Sequence, residues 1–494
     1  MSVPYIHTFY TPKGYYFYDF NTNAIVRINK SVYDFLNEWE KNKDCPNSQS
    51  ECGNIIDELK RAGFLSERHW TKIEHPATKM LDRYLHSSVE SITLQVTQQC
   101  NLKCNYCPYS GSYYNREHSN RHMSFETAKQ AIDFYIAHSF DIPVAHIGFY
   151  GGEPLIEYDL IRKIVEYCRE KCFGKKIMYF MTTNATLLTE EVIDFLMENE
   201  FNLSISLDGP RNYHDRNRHR IDDSGSFDIV MQNIERLYKR YPEKKDNVQF
   251  NCVLDPTSDI KCINDFFMNE DMLKEYRVLF NSLSREGIKD NDKFVPNKDY
   301  LEQFEYELFK MFYSKSEKIE GIDVSKVVES YYLQIKTVYA QRKMSSFVED
   351  FSHPGGPCIP GTHKLFVNVK GDFYPCEKVC ECSADTIIGN IDKGFDLDKA
   401  ETLLNVGKLT EEQCRDCWCA KYCYICTAHL DQGDGLSREL KQKHCAGVRK
   451  SIENDFKDYC LLHEMSGLDD DVIYLNGEGS EIDGSCKQGT DVSV

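Results

Sequence analysis

The chain has 494 residues, 41% hydrophobic and 13% aromatic, which excludes a chain disordered throughout and predicts about three domains at roughly 100–200 residues each. Its formal charge of −19 argues against a mainly electrostatic nucleic-acid binder, whose phosphate contacts need clustered Lys and Arg. No apolar run approaches the roughly 18 residues of a membrane span, and the N-terminus lacks a basic segment followed by an apolar one, so a cytoplasmic protein is expected.

Residues 1–75 read as a separate small module. Tyr15–Asp19 and Ala24–Ile28 alternate around Asn21-Thr22-Asn23, a hairpin signal. With Ser31 as N-cap, Val32, Phe35, Leu36 and Trp39 recur at helical spacing, and a second helix carries Ile55, Ile56, Leu59 and Ala62. Hairpin, helix, helix is the outline of a winged-helix-like unit. No helix in it is basic enough to read DNA, and a sheet edge that captures an extended peptide is the alternative use.

From residue 90 to 285 strands and helices alternate. Thr93–Thr97, His146–Tyr150, Ile177–Met181, Leu203–Leu207, Val248–Leu254 and Arg277–Phe280 read as strands. Ser124–His138, Tyr158–Arg169, Thr189–Glu198, Phe227–Arg240 and Ile260–Phe267 read as the helices between them. Six such units predict a parallel sheet, open or curled into part of a barrel, with the active site in loops at the C-terminal strand ends. A helical bridge (286–350), a Cys-rich domain (351–460) and a mobile acidic tail (461–494) are expected to follow.

The 21 Cys, in a chain expected to stay in the cytoplasm, read as metal ligands or thiol chemistry before disulfides. Cys100, Cys104 and Cys107 form one knot just past the first strand of the alternating series, and Cys358–Cys445 holds ten more. The scattered remainder (Cys45, Cys52, Cys168, Cys172, Cys252, Cys262, Cys460 and Cys486) read as small hydrophobes in or near a core. The spacing C-x3-C-x2-C on a tight loop can hold three irons of a cubane cluster and leave the fourth open; a zinc site lacking one ligand is the alternative.

With Tyr106 before its last Cys, this triplet resembles the signature of the radical S-adenosylmethionine (radical SAM) enzymes, and the resemblance spans roughly residues 90–285. It implies a partial (β/α)6 barrel, a [4Fe–4S] cluster on Cys100, Cys104 and Cys107, and Tyr106 near the adenine of the cofactor. Gly151-Gly152-Glu153-Pro154, after the second strand, is similar to the methionine-binding turn. Paired Gly let the backbone approach a ligand, and Glu153 could pair with its ammonium group. Thr182-Thr183-Asn184-Ala185-Thr186 is similar to the segment that places Asn184 at the cofactor, with Ala185 where the family has Gly. Ser206, in Ser204–Pro210, matches a ribose contact, and Arg218 an arginine that binds the cofactor carboxylate.

The second Cys region resembles the SPASM extension of these enzymes. That likeness implies one auxiliary [4Fe–4S] cluster on Cys414, Cys417, Cys423 and Cys445, and three ligands of another on Cys358, Cys376 and Cys426. The family places three residues between its last two short-range Cys, whereas two stand between Cys423 and Cys426. Lys364 stands where sulfatase-maturing relatives place a further Cys, leaving Cys380, Cys382, Cys419 or a substrate thiolate as the missing ligand. The N-terminal unit resembles the recognition element of enzymes that modify ribosomally made peptides.

Together these likenesses imply a maturase with three [4Fe–4S] clusters and S-adenosylmethionine that forms Cys thioethers in a Cys-rich precursor. In such enzymes reductive cleavage of the cofactor yields a 5′-deoxyadenosyl radical, which takes hydrogen from a peptide carbon. The implied partners are a leader peptide on residues 1–75 and an electron donor such as a flavodoxin or ferredoxin, with no nucleic acid and no membrane. Formylglycine formation of the sulfatase-maturing type, carbon–carbon cross-linking, and a zinc or iron–sulfur DNA-binding regulator are the alternatives.

Overall fold

The computed structural model describes residues 3–43, 52–116, 118–171, 174–290, 292–316, 321–340, 349–356, 358–466 and 472–474. Strands β1 (Ile6–Tyr10), β2 (Tyr15–Asp19) and β3 (Ala24–Ile28) form an antiparallel meander. The hairpin occurs where its alternation predicts it, and Asn23 takes the left-handed turn position at φ 57°. Helices α1 (Lys30–Asn42) and α2 (Gly53–Arg61) follow. The cap of α1 is Asn29 rather than Ser31. Its side chain accepts from the Val32 amide at 2.9 Å, while the Ser31 hydroxyl donates to Asn29 Oδ1 at 2.8 Å. The sheet is buried on both faces: Phe17, Ala24, Val26 and Ile28 pack with α1 and α2, while Phe9, Tyr16, Tyr18 and Ile25 join a second core.

The six predicted strands are β4 (Ser91–Thr97), β5 (Val144–Gly151), β6 (Lys176–Thr183), β7 (Asn202–Ser206), β8 (Val248–Leu254) and β9 (Arg277–Ser282). Each neighbouring pair is parallel, in sequential order. Helices α3 (Phe125–Ala137), α4 (Tyr158–Lys171), α5 (Glu190–Glu198), α6 (Phe227–Arg240) and α7 (Ile260–Asn269) alternate with them. Ser124, Thr189 and Asp259 cap α3, α5 and α7 with side-chain oxygens. Ile92, Leu94 and Val96 of β4 are fully buried, each side chain stabilising the fold by about 1.5–3 kcal/mol. Residues of one face of all six strands, among them Thr93, Tyr150, Thr182, Ser204, Gln249 and Arg277, line a single cavity of about 780 Å3.

Helices α8 (Lys298–Ser316) and α9 (Lys326–Ala340) lead to the Cys-rich segment. That segment is not a separate layer. Its strand β10 (Leu365–Val367) pairs in parallel with β4, Leu365 beside Ile92, and covers the sheet edge. Strands β11 (Asp372–Tyr374), β12 (Gly389–Asn390) and β13 (Gly394–Phe395) extend the sheet antiparallel. Helix α10 (Arg438–Ser466) packs Phe456, Tyr459 and Cys460 into the second core of the N-terminal sheet. The tail expected to be mobile from residue 461 therefore begins as helix. Beyond it, strand β14 (Val472–Tyr474) pairs with β3, and the rest of the tail lies outside the described residues.

Of the Cys read as core residues, Cys52, Cys168, Cys252 and Cys460 are buried. Cys262 is exposed, because it sits in the solvent-facing first turn of α7. Cys45, Cys172 and Cys486 lie outside the described residues. Among the described residues no helix is long and apolar enough to cross a membrane.

Candidate functional site

The ten site residues read from the alternating segment converge. Cys100, Cys104, Cys107, Tyr106, Gly151, Gly152, Glu153, Asn184, Ser206 and Arg218 all line one cavity of about 310 Å3 at the C-terminal strand ends. Tyr150 and Thr182 also line the larger hollow, so the two spaces adjoin.

The Cys loop is held from a distance. Leu102–Cys104 form a short antiparallel ladder with Arg218–Arg220, setting Cys104 directly opposite Arg218. The Cys107 amide closes a turn onto the Cys104 carbonyl at 3.1 Å. Cys100 Sγ accepts from the Leu102 amide at 3.4 Å and faces Asn184 Nδ2 at 3.9 Å. Burial pushes the Cys100 and Cys104 thiols up to about 12 and raises Cys107. A cluster would be bound as thiolates, so loading releases protons. Soft sulfur donors, N–H groups aimed at sulfur and an adjoining hollow fit an iron–sulfur cluster on this loop.

The paired glycines serve a closer contact than the expected approach to a ligand. A Cβ on Gly151 would lie 2.1 Å from the Thr97 carbonyl oxygen, and one on Gly152 2.1 Å from that of Gln99. They let the turn press against the backbone leading into Cys100, and Gly152 and Glu153 donate amide hydrogen bonds to those carbonyls. The Glu153 carboxylate is fully enclosed and accepts from the Leu155 amide (3.1 Å), the Thr183 hydroxyl (2.7 Å) and the Asn184 amide (2.7 Å). Burial pushes its pKa up to about 7 against these donors. Three bonds leave a carboxylate one further lone-pair site, so an ammonium group remains compatible with it. Asn184 Oδ1 accepts from the Thr186 amide and hydroxyl across Ala185, which occupies the left-handed region at φ 60°.

Arg218 is already paired. Its Nε lies 2.9 Å from Asp208 Oδ2, its guanidinium sits 5.4 Å over the Tyr106 ring, and the Tyr106 hydroxyl donates to the same Asp208 oxygen. Burial works against the Arg218 charge, but Asp208 more than offsets it and holds its pKa well above the ordinary value. Asp208, buried and also accepting from the Val253 amide at 3.0 Å, is a site residue that the motif reading passed over. Its signal was its place two residues after Ser206.

The Cys-rich segment forms two thiol groups. Cys423 and Cys445 each lie within electrostatic reach of Cys414 and Cys417. Cys419 joins them, its sulfur 3.5 Å from that of Cys417. Buried Lys441 donates to Cys414 Sγ at 3.5 Å and to the Val406 and Gly407 carbonyls. Cys358, Cys376 and Cys426 form the other group. Of the candidates for its fourth position, Cys380 and Cys382 both turn to the Asn115 carbonyl, at 3.8 and 3.5 Å. His429, three residues past Cys426, places Nδ1 3.5 Å from its sulfur. A buried clasp joins the two Cys regions: Arg116 Nε meets Glu381 Oε1 at 3.0 Å, and Gln95 Nε2 donates to both Glu381 oxygens.

The Radical SAM superfamily profile matches residues 94–267. The Serine-type anaerobic sulfatase-maturating enzyme of Bacteroides thetaiotaomicron is 34% identical over 170 residues, 34% of this chain and 37% of that protein. The Cysteine-type enzyme of Clostridium perfringens is 25% identical over 372 residues, 72% of this chain and 93% of that protein. The chain spans well under two thirds of the length of the first curated relatives it matches, 39% and 37%. The solved structure "Native anSMEcpe with bound AdoMet" shares the fold at a TM-score of 0.54 and 21% identity, covering 76% of this chain and 97% of that one. The same enzyme with bound AdoMet and a Kp18Cys peptide gives 0.51 at 21% identity, covering 74% and 99%.

Proposed function

We propose that this chain is a radical SAM enzyme related to the anaerobic sulfatase-maturating enzymes, and a peptide maturase that joins a Cys sulfur to a carbon in a ribosomally made, Cys-rich precursor. The observation that carries the reading is the thiol set of Cys358, Cys376 and Cys426. Three thiolates leave one iron of a cubane open. Cys419 stands with the other thiol group, and Cys380 and Cys382 turn to Asn115. A substrate thiolate is the ligand that sulfur-to-carbon coupling would bring to that position.

Cys100, Cys104 and Cys107 would hold one [4Fe–4S] cluster, and the four-Cys set Cys414, Cys417, Cys423 and Cys445 a third. When bound, the reduced cluster and S-adenosylmethionine supply an alkyl radical able to take hydrogen from an unactivated carbon. The chain's own groups position that cofactor. Glu153 would offer its remaining lone pair to the ammonium group, and Arg218, held over Tyr106 by Asp208, would meet the cofactor carboxylate. Asn184 and Ser206 supply polar contacts, while Leu102, Val253 and Leu283 wall off water. A leader peptide on the N-terminal sheet, a flavodoxin or ferredoxin donor and a cytoplasmic setting complete the reading.

The second reading, formylglycine formation on a protein Cys or Ser, is favoured by the likeness to the sulfatase-maturating enzymes. Mass spectrometry of a co-expressed Cys-rich peptide separates the two: each thioether removes two hydrogens, whereas formylglycine replaces the sulfur or hydroxyl by a carbonyl. About twelve irons per chain are expected, at four per cluster. Cys104→Ala is expected to fall to about eight and to lose deoxyadenosine formation and peptide modification together. Retained cofactor cleavage in that variant would overturn the cluster assignment.

A further inference from the structure

The fourth strand of the N-terminal sheet comes from the far end of the chain. Val472 pairs with Ile25, Ile473 with Val26 and Tyr474 with Arg27, in parallel. On its other side β3 is paired with β2 along its whole length, from Ala24 to Ile28. Without β14, the outer side of β3 would present a row of open N–H and C=O groups, a template for any extended chain.

The opposite edge is closed in a different way. The outward amide of Thr8 on β1 donates to Glu40 Oε2 at 2.9 Å, and the Thr8 hydroxyl donates to the same oxygen at 2.8 Å. His7 holds Glu40 from one ring nitrogen and Glu453 of α10 from the other, at 3.0 and 3.2 Å. Side chains rooted in two helices thus cap β1, and nothing extended can pair there without breaking that network. Among the described residues the β3 edge is covered by the backbone pairing of β14, a strand that lies beyond the end of α10.

The covering strand is short. Three paired residues give a handful of backbone hydrogen bonds worth about 0.5–1.5 kcal/mol each, too little to hold an untethered tripeptide. The tether supplies the rest. Glu464, near the end of α10, accepts from the Thr11 hydroxyl at 2.8 Å and from Tyr16, so the helix end is pinned to the same sheet. Only five residues separate Ser466 from Val472. A short tether of this kind gives an effective concentration in the millimolar range, enough to occupy a weak edge and to be displaced by a longer strand.

We propose that residues 472–474 are an internal stand-in that occupies the β3 edge in place of the strand of an incoming peptide. The displacing segment is an extended, β-branched and aromatic stretch of the Val-Ile-Tyr kind, laid parallel to β3. The identity of that segment as part of a precursor rests on the maturase reading; the occupancy of the edge does not.

The test uses a fluorescein-labelled peptide of the chain's own residues 468–478, titrated into the full chain, a chain ending at Ser466, and full-length Ile473→Pro. Proline removes a ladder amide without shortening the tail. Both variants are expected to bind the peptide at least tenfold more tightly than the full chain. Amide exchange at Ile25–Arg27 is expected to speed up in both and to slow again when peptide is added. Equal affinity for all three proteins, or exchange at Ile25–Arg27 unchanged by the truncation, would overturn the proposal. Tight peptide binding without modification of any Cys-rich precursor would sink the maturase reading alone.

Discussion

Two cysteine regions reach their geometry by opposite routes. Cys100, Cys104 and Cys107 lie within eight consecutive residues, and one turn and one short ladder set their spacing. Cys358, Cys376 and Cys426 come from stretches spread over sixty-nine residues, and Cys445, on α10, lies within electrostatic reach of Cys414. The first region is a loop dressed by the ends of parallel strands. The second has no regular layer of its own, and its thiols are placed by buried polar ties such as Lys441 and the Arg116–Glu381 clasp. A regular scaffold makes a site legible from spacing; an irregular one leaves it to long-range contacts.

The clasp is where the two regions can be separated. Glu381→Ala would leave Arg116, fully enclosed, without its carboxylate, and an unpaired buried charge costs about 3–5 kcal/mol. Chemical denaturation of the reconstituted protein is expected to show that loss; a change under 1 kcal/mol would mean the regions are not coupled through this pair. A smaller and more local effect is expected from Lys441→Met, which removes the buried ammonium's hydrogen bonds to the Val406 and Gly407 carbonyls, at about 1–3 kcal/mol, and the cation beside Cys414. Iron should then be lost to a chelator from the four-Cys group first, while deoxyadenosine formation persists. Equal loss from all clusters would mean that Lys441 stabilises the whole chain rather than that group. The smallest effect belongs to the regular region. Ala185 holds a left-handed conformation that Gly adopts without strain, and Ala185→Gly should stabilise the fold by about 0.5–1 kcal/mol, read as a rise in the denaturation midpoint without loss of cofactor cleavage.

Much of the regular half was legible in the chain. Alternation and capping placed the hairpin, and apolar runs with helical periodicity placed all six strands and their intervening helices within a few residues. The motifs then fell at successive strand ends and shared one cavity. What the motifs left out is instructive. Asp208 carries no motif of its own, yet it holds Arg218 and Tyr106 together. Gly151 and Gly152 are glycines because of the Thr97 and Gln99 carbonyls, a contact between separate units that spacing does not record. Ser31 and Asn29 compete as caps two residues apart, and only the φ/ψ of the chain entering α1 chose Asn29.

The sequence by itself determined the βα series, the three-thiol loop, the strand-end motifs and the order of the N-terminal elements, because each rests on local periodicity and short spacing. Only the tertiary structure decided that β10 closes the edge of the parallel sheet and that a strand from the C-terminal tail lies on β3. Those depend on which unpaired edges and buried charges find each other across hundreds of residues, and backbone hydrogen bonding at a sheet edge leaves almost no mark on side-chain pattern.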